Sequence, residues 1–165
     1  EVLKIRLSVY GENHSRVASV YNDIGEIYSV QGDDFKALDY FKKSLKIVLS
    51  VYGENHSQVS SIYDHIGEIY FAQKDYSKAL YYFEESLKIR LSLFGENHPE
   101  VALSYYSIGS LYIIQGDKSK ALNYYEKSLK IRLSVYGENH PLTKEIMDLI
   151  NVANSKVLQS PETTK

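Results

Sequence analysis

A five-residue phrase returns at a fixed step along this chain: Tyr10-Gly-Glu-Asn-His14, then Tyr52 to His56, Phe94 to His98 and Tyr136 to His140. The starts at 10, 52, 94 and 136 lie 42 residues apart. Self-similarity at such a step is the signature of stacked supersecondary units, each unable to bury its apolar faces alone. The chain therefore has to be read as an array, with every motif weighed against its copies.

Within one copy, apolar residues fall at Val17, Val20, Tyr21, Ile24, Ile27 and Tyr28, the three-and-four spacing of one helical face. This stretch, Ser15 to Gln31, is helix A. Gly32 permits the left-handed conformation that ends a helix, and Asp33 is placed to cap the next one. The turn recurs as Lys74-Asp75 and Gly116-Asp117, with Lys74 in the place of a glycine. Helix B, Asp34 to Val51, carries two apolar stripes: Leu38, Phe41, Leu45, Leu49 and Tyr52, and Ala37, Tyr40, Ser44, Ile47 and Val51. At 100° per residue the stripes lie about 120° apart, so helix B requires two neighbours, its own helix A and that of the following copy. The repeated phrase closes helix B with Gly53, and Asn55 or His56 caps the next helix A; Pro99 and Pro141 stand where a first turn tolerates proline.

Carried along the chain, the step predicts an all-α fold with helices near 1 to 10, 15 to 31, 34 to 52, 57 to 73, 76 to 94, 99 to 115, 118 to 136 and 141 to 157. Three whole hairpins (15 to 52, 57 to 94, 99 to 136) are flanked by a half-unit at each end, in one solenoid domain over 1 to 158. The last helix, with Met147 and Asn151 in place of the repeat's tyrosine and glycine, is expected to act as a C-terminal cap before a polar tail at 159 to 165. The chain begins without Met and midway through a copy, as a fragment of a longer array would.

One pattern recurs in each hairpin: Tyr21, Ile24, Gly25, Tyr28, Ala37, Phe41 and Ser44; Tyr63, Ile66, Gly67, Tyr70, Ala79, Phe83 and Ser86; Tyr105, Ile108, Gly109, Tyr112, Ala121, Tyr125 and Ser128. It resembles the tetratricopeptide repeat, and the long step with its Gly-Glu-Asn-His-Pro linker is similar to the kinesin-light-chain type. Tyrosine stands where that repeat often begins with tryptophan, and Leu49, Leu91 and Leu133 stand where shorter copies have proline. The resemblance implies a right-handed superhelical solenoid of antiparallel hairpins whose concave groove, lined by helix A, binds a partner peptide or helix. Glycine on helix A and alanine on helix B then allow the two helices a close approach.

The face of helix A opposite its core stripe names the candidate groove residues: Asn22, Asp23 and Glu26 in the first copy; Asp64, His65, Glu68 and Phe71 in the second; Leu103, Tyr106, Ser110 and Ile113 in the third. No lysine or arginine occurs on this face in the three whole copies. The acidic first two copies and the apolar third call for a partner segment with basic residues at one end and apolar ones at the other. They disfavour the acidic peptides that many relatives of this type clamp with basic side chains. The plainer reading of the same residues is a solvated face.

Other chemistry is less well served. The linker histidines repeat beside Glu12, Glu54, Glu96 and Glu138, but successive copies hold equivalent atoms roughly 10 Å apart, whereas one zinc needs ligands about 2 Å away. They are expected to cap helices, with no metal and no cofactor. Sixteen tyrosines could stack nucleobases, but most fall at core positions, and a formal charge of −2 gives no pull toward phosphates. Glu26 and Glu68 lie one copy apart, too far for a carboxylate pair at about 5 Å, and no nucleophile or phosphate-loop motif occurs. The chain reads as a non-enzyme that binds neither nucleic acid nor membrane, and the absence of cysteine suits a cytoplasmic setting. A rival function is structural: the open ends of the array are complementary enough for head-to-tail self-association.

Overall fold

In the computed structural model the described residues, 1 to 155, form eight helices and no strand. They are α1 (Val2–Tyr10), α2 (Ser15–Val30), α3 (Asp34–Tyr52), α4 (Ser57–Ala72), α5 (Tyr76–Phe94), α6 (Pro99–Gln115), α7 (Lys118–Tyr136) and α8 (Pro141–Ser155). The expected polar tail and the last two residues of the expected final helix lie outside the described residues. By internal packing the chain falls into two compact units, Glu1–Leu93 and Phe94–Lys165.

The linker phrase does what helix ends require, and the structure settles which residue caps. In all four copies it is the histidine, never the asparagine: Nδ1 of His14, His56, His98 and His140 accepts the backbone N–H two residues on, at 3.1 to 3.2 Å. Each imidazole also packs on the aromatic that opens its phrase, with ring centroids 4.2 to 4.6 Å apart. Gly53 between them adopts φ 79, ψ −176, a conformation open to glycine alone. At the other turn, Lys74 takes φ 62 and keeps the same paired hydrogen bonds as the glycine copies, Lys74 N–H to the Phe71 carbonyl at 3.0 Å and Asp75 N–H to that of Tyr70 at 2.9 Å. The exception in sequence is thus no exception in backbone.

In unit 1, α2 and α3 form a hairpin, and α4 packs against α3 and also meets α2. The core joins Val17, Ala18, Ala37, Phe41, Val48, Val59, Ile62 and Ile66. A Cβ on Gly25 would stand 2.8 Å from the Phe41 ring, and the same holds at Gly67 against Phe83 and, in unit 2, Gly109 against Tyr125, each at 2.7 Å. The aromatic of helix B therefore lies directly on the backbone of helix A. In unit 2, α6 and α7 repeat the hairpin and α8 packs on α7, burying Val101, Ile108, Leu111, Ala121, Ile131 and Ile146.

Three expectations about the stripes are corrected. Ile27, read as core, is 56% exposed, while Ala18, not read as core, is buried. The reason is length: α1 has nine residues, about 13 Å, and so reaches only part of α2, leaving Ile27 uncovered, whereas Val30 is exposed as its counterpart Ile114 is. On α3 Val48, in neither expected stripe, is buried, while the last residue of each stripe, Tyr52 of the first and Val51 of the second, is exposed, with the Tyr52 ring stacked on His56.

Candidate functional site

On unit 1, α2 and α4 lie side by side and bring their predicted residues onto neighbouring faces. Asn22 Nδ2 donates to Glu26 Oε1 at 2.6 Å, which turns that carboxylate toward α4. There His65 takes a middle position, its Nε2 3.4 Å from Glu26 Oε1 and its Nδ1 3.9 Å from Glu68 Oε2. The imidazole lies flat on Phe41, with centroids 5.0 Å apart and planes 7° from parallel. Glu68, followed by Glu26, holds the imidazole above its ordinary pKa against the opposing effect of burial. Asp23 is exposed on the same face, and a small polar cleft of about 190 Å3 opens beside it between Ser19, Asn22, Gln58 and Ser61.

Asp64 is not available to a partner in the way its neighbours are. Its carboxylate meets the Arg90 guanidinium of α5 at 2.6 Å, and Arg90 is 3% exposed. Burial pushes the Asp64 carboxyl up to about 6 in spite of Arg90. Phe71, one turn further, is half-buried and meets Tyr76 edge-on at 5.9 Å.

On unit 2 the predicted residues divide. Leu103 and Ile113 are exposed. The Tyr106 hydroxyl donates to Glu145 of α8 at 3.0 Å, and its ring carries the Arg132 guanidinium at 4.9 Å. Ser110 turns inward: its hydroxyl donates to the Tyr106 carbonyl at 3.0 Å and meets the Tyr125 hydroxyl at 3.2 Å. Ile113 instead borders an apolar cleft of about 190 Å3, completed by Tyr125, Leu149 and Val152 with Lys118 at its rim.

Arg90 and Arg132 were missed because they lie on helix B, and Glu145 and Leu149 because they lie on the last half-unit, beyond the three whole copies. The arginines had a signal: Lys-Ile-Arg-Leu-Ser occurs at 4 to 8, 88 to 92 and 130 to 134, with Val48 the exception in the copy between. The structure shows its use. Arg6 Nη1 donates to the Arg16 carbonyl at 2.9 Å, and Arg132 Nη1 to the Leu142 carbonyl at 2.5 Å, so the end of one helix B ties down the first turn of the next helix A. Arg132 also meets Glu145 at 3.4 Å. With their Nδ1 lone pairs engaged, the linker histidines act as caps. Among the described residues no cluster of His, Asp and Glu has the geometry to hold a metal, and no helix is long and apolar enough to cross a membrane.

A family model of the tetratricopeptide repeat matches residues 16–92 and again 58–134. No curated protein matches the sequence. Among solved structures, BtubC (BKLC) from P. vanneervenii is similar with TM-score 0.71 at 20% identity, covering 90% of this chain and 67% of its own. The nearly identical repeats of a putative kinesin light chain from Podosopora anserina give 0.70 at 14% identity over 96% and 84%. The apo form of RapI gives 0.79 at 19% identity; 94% of this chain is covered, which spans 54% of RapI. At such identities the likeness concerns the fold.

Proposed function

We propose that this chain, which belongs to the tetratricopeptide-repeat family, is an interaction module that binds a partner polypeptide on the helix-A faces of its two units. Repeats of this family generally bind proteins or peptides and are generally not enzymes. The observation that carries the finer reading is on unit 1: Glu26 and Glu68 stand exposed on either side of His65, while Arg90 is buried against Asp64. A basic segment of the partner is the chemistry that suits this face. Unit 2 supports an apolar contact, through Leu103, Ile113 and the cleft beside Leu149. The setting we assign is cytoplasmic. The test is a peptide array probed with the wild-type chain and with a Glu26→Lys, Glu68→Lys double variant. Basic peptides should bind the variant at least tenfold more weakly; equal affinity for every hit would remove the assignment.

A second reading has its own observation. Ile27 of α2 is 56% exposed, whereas Ile69, its α4 counterpart, is 2% exposed. An apolar shelf that the fold covers elsewhere suits a second copy adding head to tail. Light scattering over a concentration series should then show mass growing with concentration, and a constant monomer mass excludes it.

A further inference from the structure

A cleft of about 350 Å3 lies between the second linker and α5, lined by Glu54, Tyr63, Tyr81, Glu85, Lys88 and Ser92. It is not part of the helix-A face that carries Glu26 and Glu68. Its meaning comes from comparing the three copies of the same place. In the first copy, Lys43 pairs with Asp39 at 2.6 Å and holds its ammonium 5.0 Å from the Tyr40 ring centroid. In the third, Lys127 stands over two rings at once, 5.5 Å from Tyr105 and 5.3 Å from Tyr124. The fold thus builds a tyrosine pair from helices A and B and sets its own cation over one ring of it in the first copy and over both in the third.

The middle copy keeps the rings and exchanges the rest. Tyr63 and Tyr82 stand 5.6 Å apart, as the copies of Tyr105 and Tyr124. The lysine position is Glu85, and the Asp39 position is Tyr81, whose ring meets Tyr82 edge-on at 5.2 Å and is 57% exposed. Where its neighbours hold an internal ammonium, this copy holds a carboxylate, an added aromatic wall and a wider cleft, about 350 Å3 against about 200 Å3 in the first copy. Glu54 of the linker adds a second carboxylate to the lining. Asn55 closes the far rim by donating to the Ser92 hydroxyl at 3.1 Å. The cation already at the rim is Lys88, 76% exposed and 3.8 Å from Glu85; it lies over no ring, and such a surface pair is readily given up.

We infer that this cleft is a docking site for a cationic side chain, an arginine or lysine of a partner protein, received against the Tyr63 ring, which Tyr82 backs, beside the Tyr81 wall and the carboxylates of Glu54 and Glu85. The guest takes the place that Lys43 and Lys127 occupy in the flanking copies. The partner-binding function proposed above is not needed for this inference, and the residues that test it do not overlap with Glu26 and Glu68.

The experiment is a titration of the whole chain, carbon-13 labelled at its tyrosine rings, with N-acetyl-arginine amide and with its neutral isostere N-acetyl-citrulline amide. Saturable shifts of the Tyr63, Tyr81 and Tyr82 ring signals are expected with the arginine compound, together with at least tenfold weaker binding of the citrulline compound. Glu85→Lys, which installs the residue the other two copies already carry, should abolish the arginine response and leave the fold intact. No saturable shift in the wild type, an equal response to citrulline, or an undiminished response in Glu85→Lys would each overturn the site.

Discussion

The triplet α2, α3 and α4 of unit 1 and the triplet α6, α7 and α8 of unit 2 are the same piece of the repeat, two steps apart. Phe41 corresponds to Tyr125, His65 to Leu149, Glu68 to Val152, Asn22 to Tyr106 and Val48 to Arg132. In unit 1 an imidazole lies on the helix-B ring and is flanked by two carboxylates. In unit 2 a leucine takes that position, and an apolar cleft with Val152 and Ile113 takes the place of the charged face. The backbone and the ring beneath are constant, so a handful of side chains decides whether a face is charged or apolar. The partners of the polar groups shift as well: Tyr106 and Arg132 find Glu145 on α8, where unit 1 has Ser61 at the matching position.

The strongest test of this equivalence removes the ring itself. Phe41→Ala should cost about 3 to 5 kcal/mol, and Tyr125→Ala a similar amount, since both rings are buried against a glycine of helix A. Urea unfolding followed by amide exchange, resolved by unit, reports each loss. A loss at one ring several-fold larger than at the other breaks the comparison.

Next in size is the pair that unit 1 buries without a full counterpart in its first copy. Asp64→Asn leaves a buried guanidinium facing a neutral amide, but the amide, like the protonated acid, escapes the cost of burying an ionised carboxylate, so the loss at neutral pH should stay at about 1 kcal/mol. Adding Arg90→Val reproduces the Asn22 and Val48 combination already present in the chain, and should recover most of the loss. The pair also sets a pH dependence. Asp64 sits at about 6 when folded against 3.8 unfolded, so its share of stability is complete below about pH 4 and is lost as pH rises to about 6. At about 1.4 kcal/mol per pH unit this amounts to something on the order of 2 to 3 kcal/mol. His65, likewise raised, adds a further decline that begins near its ordinary value of 6.5. Thermal unfolding from pH 4 to 8 should show that fall in the wild type. Its lower part should vanish in the double variant; a slope unchanged there would show that the buried pair is not its origin.

The candidate residues on the helix-A faces were legible in sequence to different degrees. Glu26, Glu68, Leu103 and Ile113 are exposed where the helical wheel puts them, because solvent exposure on an outer helix face follows from periodicity alone. Ser110 and Asp64 obey the same wheel but are drawn inward by Tyr125 and Arg90, residues of helix B that a reading of helix A does not include. Ile27 fails for a different reason: its periodicity is right, but α1 is too short to cover it.

By itself the sequence determined the repeat step, the helix limits to within a residue or two, the glycine that closes each helix B and the family, since all of these rest on contacts within a few residues repeated in register. Only the tertiary structure decided which polar side chains remain for a partner. Asp64 is consumed by Arg90, Tyr106 by a residue 39 positions away, and the tyrosine pair of the middle copy is left without a lysine of its own over its rings. Those outcomes depend on side chains reaching across from separate helices, and the distance they must span is fixed only once the helices are packed.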